Sequence, residues 1–182
     1  MFPHLPRQAE EIVGEAVSFP CFKTREARGL PYETMHTGNS IIIRAPKEAI
    51  FEAAANLELW PQILPHYRYI RYLERGATRN VVVMAATRTG IPISWTSEQI
   101  IDRDKLEVRF NHLNAFTKGM RVVWTFQDTP AGVQVQILHD LNFRVPALAP
   151  IAERIIGGFF IQHIANQTLR CMKAHLEALH RV

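Results

Sequence analysis

Hydrophobic and polar residues alternate along six consecutive segments in the middle of the chain, and this period of two predicts β-strands. Short breaks rich in glycine, proline and aspartate separate the segments, so neighbouring strands are expected to run antiparallel. An apolar run at residues 41–43 predicts one further strand before them. The predicted strands cover residues 34–43, 67–75, 79–89, 93–102, 106–112, 120–127 and 133–143.

Helical patterns occupy two places in the chain. Pro46 suits the first turn of a short helix after the first strand, because a missing N–H costs nothing there. Trp60-Pro61 ends that helix, and a second short helical piece follows before Pro65. Beyond Pro150 the pattern becomes helical for residues 151–180, and Gly157-Gly158 is expected to weaken or kink the first half.

This order of elements predicts an α+β fold. A seven-stranded curved antiparallel sheet would wrap around the long C-terminal helix, with two short helices after the first strand. A strongly curved sheet cannot pack closely along a whole helix, so we expect an internal cavity between them.

The first 33 residues differ from the rest of the chain. Four prolines interrupt them, and one amphipathic helix is predicted near residues 7–17. We therefore divide the chain into an N-terminal extension (1–33) and a folded domain (34–182). The extension is expected to pack on the domain or on a second copy, which allows for a homodimer.

Composition limits the classes of function. The 182 residues are 47% hydrophobic and 21% charged, as in ordinary globular domains. The net charge of +4 permits an anionic partner without requiring one. No apolar run approaches the roughly 20 residues that cross a bilayer, and no secretory signal is visible. With two cysteines outside any CxxC pair, the sequence predicts a cytoplasmic protein without stable membrane insertion.

The sequence lacks the motifs that usually indicate metal, cofactor or nucleic-acid binding. The eight histidines are scattered without HExxH spacing, so no metal site is predicted. Walker A, GxGxxG and GxSxG motifs are also missing from the sequence, and no cofactor is predicted. Arginines and tyrosines alternate in residues 67–88, but they suit the solvated convex face of a sheet, so no nucleic-acid partner is expected.

Strand alternation indicates which side chains point into the cavity. His139 falls in the apolar row of the last strand, where it is either a core histidine bonded to a backbone carbonyl or a ligand-binding acid–base group. Met120 and Trp124 share the apolar face of the preceding strand. Trp124 is either simple core or a flat wall for a ring-shaped ligand.

A second group of candidates follows Ile93. If Trp95 points inward, Ser97 and Gln99 do too, and burying such polar groups unpaired costs about 1–3 kcal/mol each. They therefore pair with each other or face a wet or ligand-filled space. Trp60, Leu64 and Tyr67 flank the expected mouth as a hydrophobic plug or as a gate, and the Tyr67 hydroxyl could donate to a ligand carbonyl.

Four motifs carry a family resemblance: APKEAIF at residues 45–51, WPQILP at 60–65, WTS at 95–97 and LHD at 138–140. Over about residues 39–179 the sequence resembles the START-like helix-grip superfamily, and within it the polyketide cyclase/dehydrase (aromatase/cyclase-like) family. The resemblance implies a cavity that folds a poly-β-ketone chain and promotes aldol ring closure and loss of water.

The resemblance also assigns positions and shows one departure. Trp60, Leu64 and Tyr67 match the entrance and inner wall, and Ser97 lies on the strand that carries the family's catalytic arginine. That arginine position is Gln99 here, and an uncharged amide stabilises an oxyanion less well. Either His139 or Arg88 takes over the role, or the protein binds a ligand without converting it.

The resulting prediction is a protein that binds a hydrophobic, oxygen-bearing small molecule such as a polyketide, quinone or lipid. The alternatives are a non-catalytic quinone or lipid carrier resembling coenzyme Q-binding proteins, and a structural or regulatory module filled by its own side chains. Gln99→Ala and His139→Ala are expected to change binding or turnover more than folding. The predicted catalytic residues are His139, Gln99 and Ser97, and the predicted substrate-binding residues are Trp60, Leu64, Tyr67, Met84, Trp95, Met120, Trp124 and Phe159.

Overall fold

One antiparallel sheet of eight strands organises the molecule, with the strand order β1-β2-β8-β7-β6-β5-β4-β3. The computed structural model describes residues 17–25, 32–143 and 161–180. Its strands are β1 (Val17–Arg25), β2 (Tyr32–Ile43), β3 (Tyr67–Glu74), β4 (Arg79–Arg88), β5 (Ile91–Asp102), β6 (Glu107–His112), β7 (Arg121–Thr129) and β8 (Gly132–Phe143). Its helices are α1 (Lys47–Ala55), α2 (Trp60–Ile63) and α3 (Gln162–Leu179).

The seven predicted strands are all present, and an eighth joins them. β1 lies within the predicted N-terminal extension and pairs antiparallel with β2, so the sheet is one strand wider than expected. The sequence pattern missed it because Pro20 interrupts the run. Proline is tolerated on an edge strand, and β1 forms one edge of this sheet.

Some predictions for the two ends of the domain concern residues outside the described ones. These are the helix near residues 7–17, apart from Val17 at the start of β1, and the kink at Gly157-Gly158. The boundary between extension and domain stays a prediction, although β2 begins at Tyr32, two residues before the predicted strand.

Local sequence explains the tight connections. Pro46 precedes α1 as its N-cap residue, and Pro61 stands in the first turn of α2. The β4–β5 hairpin turns through Thr89 and Gly90, with φ angles of 46° and 82°. Two positive φ angles give a turn whose twist matches that of the strands, and glycine adopts this geometry without strain.

The core lies between the concave face of the sheet and the buried face of α3. Alternate residues of β6, β7 and β8 are buried as predicted, among them Val122 and Ile137. On α3, Leu169 and Leu176 are buried, whereas Asn166 is half-buried at the margin of that face. No helix in the described part of the chain has the length and apolar character needed to span a bilayer.

Two polar side chains fasten α3 to the end of β2. The Lys173 ammonium donates to the carbonyl oxygen of Ile42 at 2.6 Å and to the Glu177 carboxylate at 2.9 Å. That carboxylate also accepts from the backbone N–H of Arg44 at 2.8 Å. These bonds fix the helix against the sheet and thereby define one wall of the space between them.

Candidate functional site

A cavity of about 80 Å³ lies between the sheet and α3, where the curvature of the sheet predicted one. Its volume is below the roughly 300–1,000 Å³ typical of ligand pockets, so a ligand of several rings requires the walls to move apart. Its wall is mainly apolar. The described residues that line it are Trp60, Tyr67, Met84, Ile93, Trp95, Phe110, His112, Phe116, Thr117, Met120, Val122, Trp124, Ile137, His139, Ile161, Ile164, Ala165 and Thr168.

Trp60 organises the aromatic part of the wall. Its indole N–H donates to the carbonyl oxygen of Ala53 at 3.0 Å, which fixes the ring between α1 and the sheet. The ring centroid lies 5.0 Å from Tyr67, 6.0 Å from Phe110 and 5.7 Å from Trp124. The planes of these rings are inclined to the Trp60 ring by 46–71°, so together they form a firm apolar wall with edge-to-face packing.

Tyr67 carries a hydroxyl into this aromatic wall from the start of β3. The hydroxyl bonds to the side chain of Thr168 on α3, and burial raises the pKa of Tyr67 far above its ordinary value. The Thr168 hydroxyl also lies 2.9 Å from Nε2 of His66, whose pKa burial lowers to about 4. At neutral pH Tyr67, Thr168 and His66 therefore form an uncharged hydrogen-bond network that joins the start of β3 to α3.

His139 points into the cavity from β8 and is 7% exposed. Burial lowers its pKa to about 4, while nearby Asp140 acts weakly in the opposite direction. Its Nδ1 atom is buried and has no hydrogen-bond partner among the described residues, so it does not donate to a core carbonyl there. The imidazole is thus neutral at physiological pH and has a ring nitrogen free to exchange a proton.

Trp95 and Ser97 both point inward from β5, as predicted. Trp95 is 8% exposed and lines the cavity, and Ser97 is fully buried on the same face but does not line it. The indole Nε1 and the Ser97 hydroxyl are buried without partners within the described part of the chain. Trp95 therefore offers an unused N–H donor to a ligand.

Gln99 also points inward, but the protein itself uses its amide. Nε2 donates to the carbonyl oxygen of Ala55 at 2.8 Å, and Oε1 accepts from Nδ2 of Asn80 at 2.8 Å. Gln99 is fully buried, is not among the lining residues, and ties β5 to α1 and β4. Its catalytic role stays a prediction, and both hydrogen bonds of its amide are made within the protein.

The remaining predicted residues divide into three groups. Met84, Met120 and Trp124 line the cavity. Leu64 is fully buried in the core without lining it. Phe159 lies outside the described residues. Arg88, the alternative cation, is half-buried at the end of β4 and is not a lining residue.

Comparisons with known proteins identify the family and the fold. The model of the family "Polyketide cyclase / dehydrase and lipid transport" matches residues 43–170. The chain belongs to this family. Two relatives, each named "Putative polyketide cyclase", are 32% identical. The one from Streptomyces cyaneus aligns over 62% of this chain and 76% of its own length, and the one from Streptomyces halstedii over 54% and 93%.

A solved structure of similar shape confirms the fold. The Zhui aromatase/cyclase from Streptomyces sp. R1128 superimposes with a TM-score of 0.72 and 17% identity, over 82% of this chain and 97% of that one. The predicted α+β helix-grip fold, with a curved antiparallel sheet against a C-terminal helix, is therefore correct.

Within this cyclase/dehydrase family fold, sequence reasoning overlooked one histidine of the site. His112 on β6 lines the cavity, and its Nδ1 lies 2.7 Å from the Thr117 hydroxyl. Its ring stacks on Trp95, with 5.7 Å between the ring centroids and 19° between the ring planes. Burial, with a smaller contribution from His139, lowers the pKa of His112 to about 3. The signal was available, because the alternation that places Phe110 inside places His112 inside as well.

Proposed function

We propose that this polyketide cyclase/dehydrase family member binds a hydrophobic, oxygen-bearing small molecule in the cavity and promotes its aldol cyclisation and dehydration. The observation that carries the proposal is a neutral His139 with an unpartnered ring nitrogen beside an aromatic wall. Membership of the family and the relatives named as polyketide cyclases support the substrate class.

The chemistry requires a base, a donor and a shaped space. In the proposed step, His139 takes a proton from a methylene group between two ketones of the substrate. The resulting enolate carbon attacks a third carbonyl carbon, a ring C–C bond forms, and the new alkoxide recovers the proton from the imidazolium. Removal of a second proton from carbon and departure of the hydroxyl group then release one water molecule.

Trp95 supplies the donor in this proposal. Its unused indole N–H stabilises the oxygen on which negative charge develops, and such donors act strongly where water is excluded. Ser97 reaches the substrate only if the cavity widens along β5, because it does not line the present space. Gln99 serves as a positioning residue that holds β5 against α1.

A non-catalytic carrier of a quinone or lipid is the second candidate function. The mainly apolar wall favours it, as does the family description, which includes lipid transport. Under this alternative the cavity holds its ligand unchanged. A cytoplasmic location and a homodimer also remain proposals, and light scattering of the purified chain tests the latter.

Turnover of a short synthetic poly-β-ketone thioester tests the main proposal. Wild-type protein is expected to form a cyclised product lacking one water faster than buffer does, as measured by liquid chromatography and mass spectrometry. His139→Asn is expected to lower the rate at least about 100-fold, the usual contribution of a general base. His180→Asn, at an exposed position on the last turn, is the matched control and is expected to keep the rate.

The outcomes separate the two functions. Binding of the thioester without any product supports the carrier and contradicts the cyclase. An unchanged rate in His139→Asn contradicts the assigned base. Neither binding nor product contradicts both candidates.

A further inference from the structure

The inner face of β2 carries two polar side chains next to His139. Thr37 is 6% exposed and Asn39 is fully buried. Pairing of β2 with β8 places Thr37 directly opposite His139, and Asn39 opposite Ile137. Residues opposite each other in an antiparallel pair share a face, so the Thr37 and His139 side chains are neighbours inside the fold.

The polar side chains of Thr37, Asn39 and His139 are only partly hydrogen-bonded. Nδ2 of Asn39 donates to Oδ1 of Asn166 on α3 at 2.7 Å, which fixes the orientation of the Asn39 amide. Three buried atoms have no partner within the described ranges: Thr37 Oγ1, Asn39 Oδ1 and His139 Nδ1. A buried polar atom without a partner is costly, and three on adjacent positions indicate that something else bonds to them.

The chemistry of the three atoms restricts what can bind. Asn39 Oδ1 is only an acceptor, so its partner must be a donor. The Thr37 hydroxyl can donate or accept, and His139 Nδ1 can do either according to the tautomer. A hydroxyl group can donate its one proton to Asn39 and accept from Thr37 and from Nδ1–H of His139, a tautomer that leaves Nε2 as the basic nitrogen of the ring. A ketone oxygen or a hydrocarbon chain cannot bond to Asn39.

We propose that Thr37, Asn39 and His139 form a hydroxyl subsite that binds the O–H group of a phenolic or enolic ligand. The inference rests on the proposed function, because the ligand must occupy the cavity. Thr37 and Asn39 do not line the present space, so the ligand reaches them only as the walls move apart beside His139. His139 belongs to both places, since it lines the cavity and faces Thr37. The subsite therefore selects enolic or phenolic molecules over fully ketonic or hydrocarbon ones.

The subsite also fixes the direction of the ligand. His139 on β8 and His112 on β6 lie on opposite sides of β7, and Trp95 lies on β5, one strand beyond His112. The two strand spacings from β8 to β6 amount to about 10 Å along the sheet, and the three to β5 to about 14 Å. A hydroxylated ring bound at Thr37 would thus extend its other end across Val122 toward Trp95.

Calorimetric titration with two matched probes tests the subsite. 2-Naphthol has the hydroxyl, and 2-methoxynaphthalene has the same ring system and oxygen without the proton. Wild-type protein is expected to bind 2-naphthol about 5–10-fold more tightly, the effect of one hydrogen bond to a buried acceptor. A bound water molecule at the same three atoms would have the same chemistry, and it would give equal affinities for the two probes.

Thr37→Val tests the residue without changing its shape. The affinity for 2-naphthol is expected to fall severalfold, because a donor to its oxygen is lost, while the melting temperature stays constant or rises, since an unpartnered hydroxyl is removed. Thr37→Ser is expected to keep the wild-type affinity. Thr125→Val, on the outer face of β7, is the matched control and is expected to change neither quantity.

The possible results are distinct. Equal wild-type affinities for the two probes, or an unchanged affinity for 2-naphthol in Thr37→Val, overturn the subsite and leave ligand binding in the cavity intact. Absence of binding by either probe overturns both the subsite and the binding function on which it rests. The wild-type comparison needs no variant, so it decides the matter even if Thr37→Val does not fold.

Discussion

At the scale of single residues, the neutral state of His139 makes folding sensitive to acid. Folding lowers the pKa of His139 from 6.5 to about 4. Between these two pH values the imidazole is protonated in the unfolded chain and neutral in the folded protein. The free energy of unfolding is therefore independent of this group above pH 6.5 and falls as the pH drops from 6.5 toward 4.

Urea unfolding between pH 7 and pH 5 measures this effect. Wild-type protein is expected to lose about 2 kcal/mol more than His139→Asn over this interval, at about 1.4 kcal/mol per pH unit below 6.5. His112 remains in the variant and keeps its own contribution. Identical pH dependence in the two proteins would show that His139 is not held neutral by folding.

Gln99 is expected to matter for stability more than for ligand binding. Gln99→Ala removes the bonds to Ala55 and Asn80 and leaves both partners buried, which costs about 1–3 kcal/mol of unfolding free energy. Affinity for 2-naphthol is expected to stay within about twofold of wild type. This reverses the sequence-based expectation for Gln99→Ala, because the structure shows which groups its amide contacts.

Exposed Gln127 on β7 provides the control for Gln99. Gln127→Ala is expected to change the unfolding free energy by less than about 0.5 kcal/mol. A stable Gln99→Ala with greatly weakened binding would contradict the structural role and restore the catalytic one.

Sequence alone identified inward-facing residues well and their partners poorly. Alternation located His139 and Trp95 correctly, because a strand reverses its side chains at every residue. It did not reveal Thr37 beside His139, because these residues lie on segments far apart in the chain. It did not reveal Asn80 beside Gln99 either, because alternation does not fix the register of the β4–β5 hairpin. The family resemblance suggested a role for position 99 but not the hydrogen bonds that occupy its side chain.

At the scale of elements, the polar fastening of α3 contributes to stability. Lys173 and Glu177 bond to the end of β2, and their side chains are 19% and 25% exposed. Lys173→Met removes the ammonium group and leaves the Ile42 carbonyl without its donor. The expected loss is about 1 kcal/mol of unfolding free energy. Urea unfolding at neutral pH gives the comparison.

Lys105 offers a matched position outside this fastening. Its side chain is 73% exposed, and its ion pair with Asp102 is long, so Lys105→Met is expected to have almost no effect. Equal stabilities of Lys173→Met and Lys105→Met would show that the apolar face of α3 alone holds the helix in place.

Elements were predictable in proportion to the regularity of their patterns. The strands from β3 to β8 follow one another through short turns with glycine, proline or aspartate, so their hairpin order could be read directly. β1 was missed because an edge strand needs less regular alternation and accepts Pro20. Pairing of β2 with β8 joins residues about a hundred positions apart, and no local pattern in the sequence predicts such a contact.

At the scale of the whole molecule, the cavity connects fold and function. A curved sheet and one long helix predict internal space, but the volume of about 80 Å³ depends on how Trp60, Trp124 and their neighbours pack. Such packing cannot be calculated from a pattern of hydrophobic positions. The small volume and uncharged wall favour a neutral ligand that pushes the walls apart as it binds.

Filling the cavity tests the central claim, that this space is where the ligand binds. Ala165 lines the cavity from α3, and Ala174 is exposed on the same helix. Ala165→Leu places three further carbon atoms in the space, whereas Ala174→Leu makes an equal change facing solvent. Circular dichroism and melting temperature establish that both variants are folded.

Calorimetric titration of the three proteins with 2-naphthol is the most direct measurement. Wild type and Ala174→Leu are expected to bind one equivalent with equal affinity, and Ala165→Leu to bind at least about tenfold more weakly while remaining folded. Binding of 2-naphthol to Ala165→Leu with wild-type affinity would contradict the account, because the ligand would then lie somewhere else.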